Sequence, residues 1–518
     1  MAKKGKDDGK EAKPAKPQPT WRAGLDFIGM LAGAIAVALV IKAYAFDVYL
    51  IPSGSMETAL HGRPDGGDRI FCSKLNYRFR QPKRWEVAVF EFPYENARRT
   101  DFYNISEQYK GQNFVKRVVG LPDESLAIAR GDIWTRPLGS RSEYQRLIKP
   151  DSVQRGMWLN VYEENFADLT RDELETFWRP TGDRILLDKG GALRLSPGPD
   201  SVRLDYRPLV PAGPDREFMV ELSGVPDRYT LEQPVQFQCR NPRENGELCG
   251  HVYVKTIRTQ NMQARCPKCG SLQNETSAVF YHRRSGLPGV GQLAVDPAFA
   301  AQGEDVPPRQ SDYHIVPDLR VRTSMTLADA QAEFSIIIRE DNRHVRAVFS
   351  GDGRVELLLN DQPSVASNRA VTDIKPGHRH AVEFYVADGN ARVFVDSEEK
   401  PILDIPVWND KRPAPRSLPK ISGVSLAAGG GEVEIAGVTI DRDIFYYSGW
   451  ESERGEKFPQ MSAQGEAHID ANSFFPMGDH CPSSFDARSW GPVPLSLLRG
   501  PAILVWWPPE RIGLISSP

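Results

Sequence analysis

The sequence predicts a mainly β protein that begins with one transmembrane helix. Short runs rich in Val, Ile, Phe and Tyr recur along the chain, and Gly, Pro and Asp-Gly turns separate them. One long apolar segment lies near the N-terminus, and later stretches with helical periodicity are few. The chain has 518 residues, a length that suggests about two to four domains.

The first 46 residues predict a tail and an anchor. Residues 1–26 combine lysines with prolines, which is typical of a disordered basic segment on the cytoplasmic side. Residues 27–46 are apolar except for Lys42, and the segment is preceded by Asp26. About 20 apolar residues in a helix are enough to span a bilayer. The basic tail favours a cytoplasmic N-terminus, with the rest of the chain on the outer side of the inner membrane. A cleaved signal peptide ending at Ala43-Tyr44-Ala45 is the alternative.

Residues 47–150 predict a first β-domain, with strands over 87–90 and 114–119. Residues 151–445 predict an insert whose second half contains regularly spaced strands, at 334–339, 345–349, 355–359, 381–386, 391–395 and 433–440. Asp-Gly turns join some of these runs, and this spacing favours a β-sandwich of concanavalin or laminin-G type. The small residues of 427–431 predict a turn. Sandwiches of this type bind glycans or proteins or serve as spacers, and the sequence leaves these alternatives open.

Four cysteines within residues 239–269 predict a zinc-ribbon-like element in the insert. Cys266 and Cys269 form a Cys-x-x-Cys turn that suits two thiolate ligands of one Zn²⁺ ion, and Cys239 and Cys249 supply a wider pair. An outer location also permits two disulfides, or free and mixed thiols. We expect structural zinc and no cofactor for catalysis.

Composition excludes one class of partner. The formal net charge is −3, and it offers no basic surface for nucleic acid. The histidines are scattered along the chain and suggest no Ser-His-Asp arrangement.

Three short blocks point to a different catalytic chemistry. The first is Ile-Pro-Ser-Gly-Ser-Met at 51–56, directly after the apolar segment. The second is Asn-Phe-Val-Lys-Arg-Val-Val-Gly-Leu-Pro at 113–122. The third is Met-Gly-Asp at 477–479 followed by Ser-Phe-Asp-Ala-Arg-Ser-Trp-Gly-Pro at 484–492. In this order the blocks resemble those of type I signal peptidases, membrane-bound serine endopeptidases that use a Ser-Lys dyad.

The resemblance implies a catalytic β-domain formed by residues 47–150 and 446–518, with the insert between them. It implies that Ser55 is the nucleophile and Lys116 the general base. A lysine can replace histidine as a base only when neutral, and burial disfavours the ammonium form. Ser53, through its hydroxyl, and Ser55, through its backbone N–H, would form the oxyanion hole.

The resemblance also implies supporting residues. Ser484 would orient the lysine amine, Asp486 and Arg488 would form an ion pair, and Asp479 lies in the Gly-Asp box. A second set, Ile51, Val115 and Tyr49, would contribute to apolar pockets for small substrate residues.

The implied function is cleavage of signal peptides from translocated preproteins after small-x-small motifs, with preproteins and membrane lipid as partners. Some positions depart from the family pattern, including His480 and Cys481 after the Gly-Asp box, and they leave the shape of the cleft open. One alternative is a LexA-like self-cleaving protein, which would need a DNA-binding module in place of the apolar segment. The other is a catalytically degenerate, membrane-anchored scaffold that carries a glycan- or protein-binding sandwich.

Overall fold

The computed structural model of the chain describes residues 20–57, 59–62, 67–97, 109–166, 174–175, 177–181, 184–187, 192–198, 201–211, 219–221, 233–239, 252–257, 274–278, 315–363, 368–397, 399–413, 418–448, 460–462, 465–481, 484–516 and 518. Within these ranges the protein is mainly β, and this part of the predicted fold class is confirmed.

The N-terminal helix α1 covers Thr20–Tyr44. It begins before the predicted anchor, so residues 20–26 are helical and not part of a disordered tail; residues 1–19 lie outside the described ranges. It also ends earlier than 46, because Phe46 already pairs with Ser73 as the first residue of a strand. In the described part of the chain, no helix combines the length and apolarity that crossing a membrane requires.

Within the described residues, the segment after α1 contributes seven strands and three short helices. The strands are β1 (Phe46–Leu50), β2 (Arg69–Ser73), β3 (Val87–Glu91), β4 (Asn113–Gly120), β5 (Glu124–Ala129), β6 (Asp132–Pro137) and β7 (Gln145–Arg146). The helices are α2 (Asn76–Phe79), α3 (Tyr94–Ala97) and α4 (Asp151–Gln154), and a 3₁₀ turn covers Gly54–Met56. The predicted strands at 87–90 and 114–119 are confirmed as β3 and β4.

The insert contributes the next twenty-one strands of the described chain. They are β8 (Leu159–Asn165), β9 (Trp178–Thr181), β10 (Ile185–Leu187), β11 (Leu193–Leu195), β12 (Val202–Tyr206), β13 (Leu209–Pro211), β14 (Met219–Glu221), β15 (Gln233–Cys239), β16 (Val252–Ile257), β17 (Asn274–Ala278), β18 (Leu319–Leu327), β19 (Glu333–Glu340), β20 (Arg343–Ser350), β21 (Arg354–Leu359), β22 (Gln362–Pro363), β23 (Arg369–Val371), β24 (Arg379–Ala387), β25 (Asn390–Val395), β26 (Leu403–Pro406), β27 (Ser422–Gly429) and β28 (Val433–Arg442). All six strands predicted between 334 and 440 are confirmed.

The chain then returns to the first β-domain. Its last strands are β29 (Glu466–Ile469), β30 (Ser473–Met477), β31 (Val493–Pro494), β32 (Leu498–Trp507) and β33 (Gly513–Leu514). Helix α5 covers Ala487–Trp490, and 3₁₀ turns cover Leu495–Leu497 and Pro509–Arg511.

The β-domain, meaning the part built from β1–β7 and β29–β33, interleaves its two chain segments. Its eight-stranded sheet has the order β1-β2-β32-β3-β4-β30-β31, with β33 paired to β32. A four-stranded sheet has the order β29-β5-β6-β7. Each of these sheets therefore combines strands from both segments, and neither segment completes a sheet without the other.

The insert contains two further eight-stranded sheets. One has the order β10-β11-β28-β18-β24-β25-β26 with β8 on β28, and the other β22-β21-β20-β19-β27-β12-β9 with β23 on β21. They share one apolar core, to which Leu319, Phe334 and Leu426 contribute.

The turn predicted at 427–431 is wrong in its first half. Ala427 and Ala428 are buried in β27, which pairs with β12 and β19, so their small side chains pack inside a sheet.

The cysteine-rich part of the insert is described only in part. Strands β15, β16 and β17 form a three-stranded sheet, and β13 pairs with β14. Cys239 is the last residue of β15. Cys249, Cys266 and Cys269 lie outside the described residues, so the zinc element stays a prediction.

Candidate active site

Ser55 lies in the 3₁₀ turn that follows β1. The backbone holds this loop in place at both ends: Ile51 N donates to Asp68 O at 2.8 Å, and Leu60 N donates to Met56 O at 2.9 Å. The Ser55 carbonyl accepts the N–H of His480 at 3.1 Å. The C-terminal segment therefore contacts the serine directly.

Lys116 lies on β4, opposite Ala88 of β3, and β30 borders β4 on its other side. Strand β4 is therefore an interior strand, and Lys116 does not point to solvent from a sheet edge. Only 3% of Lys116 is exposed. Its ammonium nitrogen donates a hydrogen bond to Ser55 Oγ, and it lies 6.0 Å from the centre of the Phe114 ring. The fold thus brings together two residues that are 61 positions apart.

Ser53 precedes the 3₁₀ turn in an extended conformation, with φ −133° and ψ 150°. Its hydroxyl is 3.4 Å from Ser55 Oγ. Gly62 packs against the backbone of Ser53 so closely that a Cβ at this position would lie 1.8 Å from the Ser53 carbonyl oxygen. The tight approach fixes the path of the loop that carries both serines.

Asp479 forms a buried, bidentate ion pair with Arg117, the residue after Lys116. Arg117 Nε and Nη2 lie 2.7 and 2.6 Å from the two Asp479 carboxylate oxygens. Arg117 also donates to the Trp85 carbonyl at 2.7 Å. Burial opposes the charged guanidinium, but the Asp479 carboxylate raises the pKa of Arg117 above its usual value. The pair joins β4 to the turn after β30.

Asp486 and Arg488 form a second fully buried ion pair, with Arg488 Nε 2.8 Å from Asp486 Oδ1. Asp486 also accepts the Gly478 N–H at 3.1 Å. Arg488 donates to the Cys481 carbonyl at 2.8 Å. Burial alone would raise the pKa of Asp486, but the Arg488 charge and these hydrogen bonds lower it.

Ser484 is buried between these groups, but it makes no hydrogen bond to Lys116. Its hydroxyl lies close enough to Asp486 to help lower the pKa of that carboxyl, but it has no partner in hydrogen-bonding geometry among the described residues. A Cβ on Gly478 would lie 2.2 Å from Ser484 Oγ and 2.4 Å from the Ser55 carbonyl oxygen. A glycine at 478 is therefore required for Ser55 and Ser484 to approach each other.

The three predicted pocket residues belong to one apolar cluster. Ile51 is buried in it, and Tyr49 and Val115 are packed against it and partly exposed. Burial, together with the nearby Asp47 carboxylate, raises the pKa of Tyr49 to about 12. Tyr49 and Val115 are thus the members of the set that a bound peptide could reach.

The sequence interpretation missed other groups that position the site. Arg117 was part of a motif but had no assigned role. Arg511 holds the Asp68 carboxylate at 2.8 and 2.9 Å, and Asp68 in turn accepts the His61 N–H at 2.8 Å. Asp68 lies in the sequence Gly-Asp-Arg-Ile at 67–70, but nothing in the sequence around Arg511 indicates that the two residues meet.

Comparison with known proteins finds relatives of the β-domain. The family model for signal peptidase, peptidase S26, matches residues 25–149 and 422–507. Among curated relatives, a probable signal peptidase I-2 of Synechocystis is 29% identical over 28% of this chain and 58% of its own length. Signal peptidase I of Mycobacterium tuberculosis is 45% identical over 17% of this chain and 30% of its own length. Signal peptidase I of Leptolyngbya laminosa is 29% identical over 28% of this chain and 66% of its own.

The β-domain is therefore similar to that of signal peptidases. The family model matches less than half of the chain, and the resemblance to type I signal peptidases predicted from the motifs is confirmed. The chain spans 58% of the length of the Synechocystis relative and 30% of the Mycobacterium relative.

Solved structures similar to parts of the chain include the carbohydrate-binding module CBM66 from Bacillus subtilis, which is 13% identical, with 24% of this chain and 75% of that chain covered and a TM-score of 0.20. The Caenorhabditis elegans galectin LEC-6 is 16% identical, with 24% and 83% covered and a TM-score of 0.19. At these scores the likeness carries no argument about the insert's function.

Proposed function

We propose that the chain is a membrane-anchored signal peptidase that cleaves signal peptides from translocated preproteins with a Ser55–Lys116 dyad. The observation that carries the proposal is the hydrogen bond from the buried Lys116 amine to Ser55 Oγ. A serine hydroxyl needs a base before it can attack a carbonyl. Lys116 is the group in contact with that hydroxyl, and little water reaches it.

In the proposed reaction, neutral Lys116 takes the Ser55 proton as Oγ attacks the scissile carbonyl. The resulting ammonium then gives that proton to the departing amine, and an acyl-enzyme forms on Ser55. Water, deprotonated by the same lysine, attacks the ester; the bond to Ser55 Oγ then breaks, Oγ takes the proton back from the lysine, and the second product leaves. The Ser53 hydroxyl and the Ser55 N–H are the proposed donors to the oxyanion, each worth about 3–4 kcal/mol to the transition state.

The buried ion pairs position this machinery. Arg117 is covalently adjacent to the base, so its bidentate pair with Asp479 limits movement of β4 relative to the turn after β30. Asp486 holds the Gly478 N–H, and His480 holds the Ser55 carbonyl. We propose Ser484 as a residue that shapes the lysine's surroundings by packing.

The proposed substrate is a preprotein with small residues at P1 and P3. Ile51, Val115 and Tyr49 lie in the apolar cluster beside the serine loop, where shallow pockets would favour small side chains. We propose that the N-terminal segment anchors the enzyme in the inner membrane with the β-domain outside. A glycan or protein ligand of the insert, and its zinc ion, remain predictions.

The decisive experiment follows cleavage of an Ala-x-Ala preprotein by the purified full chain in detergent, with the product N-terminus identified by mass spectrometry. Ser55→Ala and Lys116→Ala should each lower turnover by at least about a thousandfold, since the two groups act as a unit. Ser142→Ala and Lys110→Ala are matched controls, because both residues are exposed, and they should retain full activity. Near wild-type turnover by folded Lys116→Ala would contradict the dyad.

A second measurement separates the enzyme from a degenerate scaffold. An acylating serine-directed probe should label the wild-type chain once and should not label Ser55→Ala. If the wild-type chain is neither labelled nor active on preproteins, the scaffold alternative replaces the proposal.

A further inference from the structure

A cavity of about 670 Å³ opens beside β1 in the β-domain. Tyr49 lines this cavity and also packs against the apolar cluster beside the serine loop, as Val115 does. Asp47 and Asn113 line the cavity too, and residues between 74 and 82 form another part of its wall. The cavity therefore adjoins the apolar cluster to which the P1 and P3 side chains were assigned above.

The alternation of side chains along β1 and β4 relates the cavity to one position of the substrate. Asp47 and Tyr49 share the partly buried face of β1, and Asn113 and Val115 share one face of β4. An extended peptide has the same period of two, so its P1, P3 and P5 side chains point the same way. When P1 and P3 occupy the apolar cluster, P5 lies two residues further from the serine loop on each strand. The residues there are Asp47 and Asn113, so P5 points into the cavity.

The charged groups that line the cavity are mostly cations. Asp47 provides one carboxylate. The basic side chains of the lining are Lys74, Arg78, Arg80 and Arg499. Such a lining favours a side chain that accepts hydrogen bonds and disfavours a further cation.

Arg78 is the cation of this lining that stays available to a substrate. The other three form ion pairs within the chain, which are Lys74–Asp47, Arg80–Glu86 and Arg499–Glu91. Arg78 is exposed on α2 and has no ion-pair partner among the described residues. Four cations and three carboxylates leave one positive charge. One acidic side chain would balance it.

We propose that this cavity receives the P5 side chain of the preprotein and prefers an acidic one, with Arg78 as the specificity-determining residue. The inference rests on the proposed function, which places P1 and P3 in the neighbouring cluster. A P5 carboxylate pairs with Arg78, whereas a P5 lysine meets the like charges of Arg78 and Lys74. The volume of the cavity admits a side chain as long as that of glutamate, in contrast to the shallow pockets for P1 and P3.

The first test compares three Ala-x-Ala preproteins that differ only in carrying Glu, Ala or Lys at P5. The purified full chain in detergent should cleave the Glu substrate with a kcat/KM about fivefold above that of the Lys substrate, a size typical of exposed ion pairs. High salt should reduce this ratio, because salt screens exposed charges. Equal kcat/KM for the three substrates overturns the inference, while cleavage itself leaves the proposed function intact.

Charge reversal assigns the preference to Arg78. In Arg78→Glu the order should invert, so that the Lys substrate is cleaved faster than the Glu substrate, while the Ala substrate is cleaved as by the wild type. General damage to the fold would slow all three substrates together and would not invert their order. Arg141→Glu is the matched control, because Arg141 is an exposed arginine between β6 and β7, and it should keep the wild-type order. An Arg78→Glu variant that also keeps the wild-type order overturns the role of Arg78.

Peptide binding separates this inference from the proposed function. Fluorescently labelled peptides with Glu, Ala or Lys at P5 are titrated against the Ser55→Ala chain, which should bind them without cleaving them. If the wild-type chain cleaves no preprotein, the proposed function fails, whereas tighter binding of the Glu peptide than of the Lys peptide still supports the cavity. Equal affinities for the Glu and Lys peptides overturn it.

Discussion

The surroundings of Ser55 and the core of the insert are stabilised by different contacts. Around Ser55, charged groups with no exposure form directional pairs between distant parts of the chain: Arg117 and Asp479 are 362 residues apart. In the insert, apolar side chains such as Phe334 and Leu426 fill the space between two sheets. Apolar burial is non-directional and roughly proportional to area. Ion pairs hold particular atoms at particular distances, and an active site requires that.

The largest effect should follow from breaking the Arg117–Asp479 pair. Asp479→Asn leaves a buried guanidinium without its counter-charge, a change that typically costs about 3–5 kcal/mol. We also expect kcat/KM to fall at least about a hundredfold, because β4 carries Lys116, the proposed base. Chemical unfolding and preprotein cleavage measure the two losses.

The control for this change is Glu91→Gln, which removes the partner of the exposed Arg499. Such surface pairs contribute about 1 kcal/mol or less. If both variants behaved alike, burial would not be what makes the Asp479 pair important.

A cavity in the insert should affect stability without affecting chemistry. Leu426→Ala removes a side chain with no exposure from β27 and should lower the free energy of unfolding by about 2–5 kcal/mol. Below the unfolding temperature, kcat/KM should stay near the wild-type value. Leu186→Ala, at a position 60% exposed, is the control and should change neither. A large loss of kcat/KM in Leu426→Ala would show that the site depends on the packing of the sandwich.

Crowding the loop that carries Ser53 and Ser55 should instead lower catalysis more than stability. Gly62→Ala would place a Cβ 1.8 Å from the Ser53 carbonyl oxygen, so the loop must move. We expect a stability cost of about 1–3 kcal/mol and a disproportionate loss of kcat. Gly423→Ala is the control, since no atom lies within 4 Å of its added Cβ. Unchanged kcat in Gly62→Ala would indicate that Ser53 does not need its present position.

Acid should weaken the β-domain through His480. Burial, with a smaller effect of the Arg442 charge, lowers the pKa of His480 to about 4, whereas an unfolded histidine titrates near 6.5. Below about pH 6.5 the unfolded chain binds a proton that the folded chain does not, so stability falls as the pH drops toward 4, by about 2 kcal/mol or less at pH 5. Unfolding free energies from pH 7 to 5 should fall less steeply in His480→Gln than in the wild type and in His378→Gln, whose histidine is exposed.

The smallest effect on chemistry should come from the cysteine-rich element. Cys266→Ser and Cys269→Ser should abolish the predicted zinc content and loosen the insert, while kcat/KM changes little because the element lies in a separate module. Elemental analysis measures the metal. A metal-free wild-type chain with these thiols in disulfides would replace the zinc interpretation.

Strands whose sequences alternate apolar and polar residues, or are rich in β-branched residues, were predictable because these patterns are local. The three motif blocks pointed to the proposed site as a set, because their order resembles that of type I signal peptidases. The buried strand at Ala427 and Ala428 was not, because small residues next to glycines resemble a turn until neighbouring strands cover them. Nor was the Asp68–Arg511 contact, which depends on the pairing of β2 with β32.

The sequence by itself supplied the candidate residues for the proposed chemistry, a serine and a lysine in short motifs, and predicted the strand that bears the lysine. The tertiary structure alone decided that Lys116 lies in an interior strand against Ser55, that Arg117 meets Asp479, and that β1 and β4 border one cavity. The physical reason is the separation along the sequence over which each kind of interaction acts. Strand propensity and turn chemistry act over a few residues, whereas the contacts that position charges form between segments that are hundreds of residues apart and become neighbours only when the sheets close.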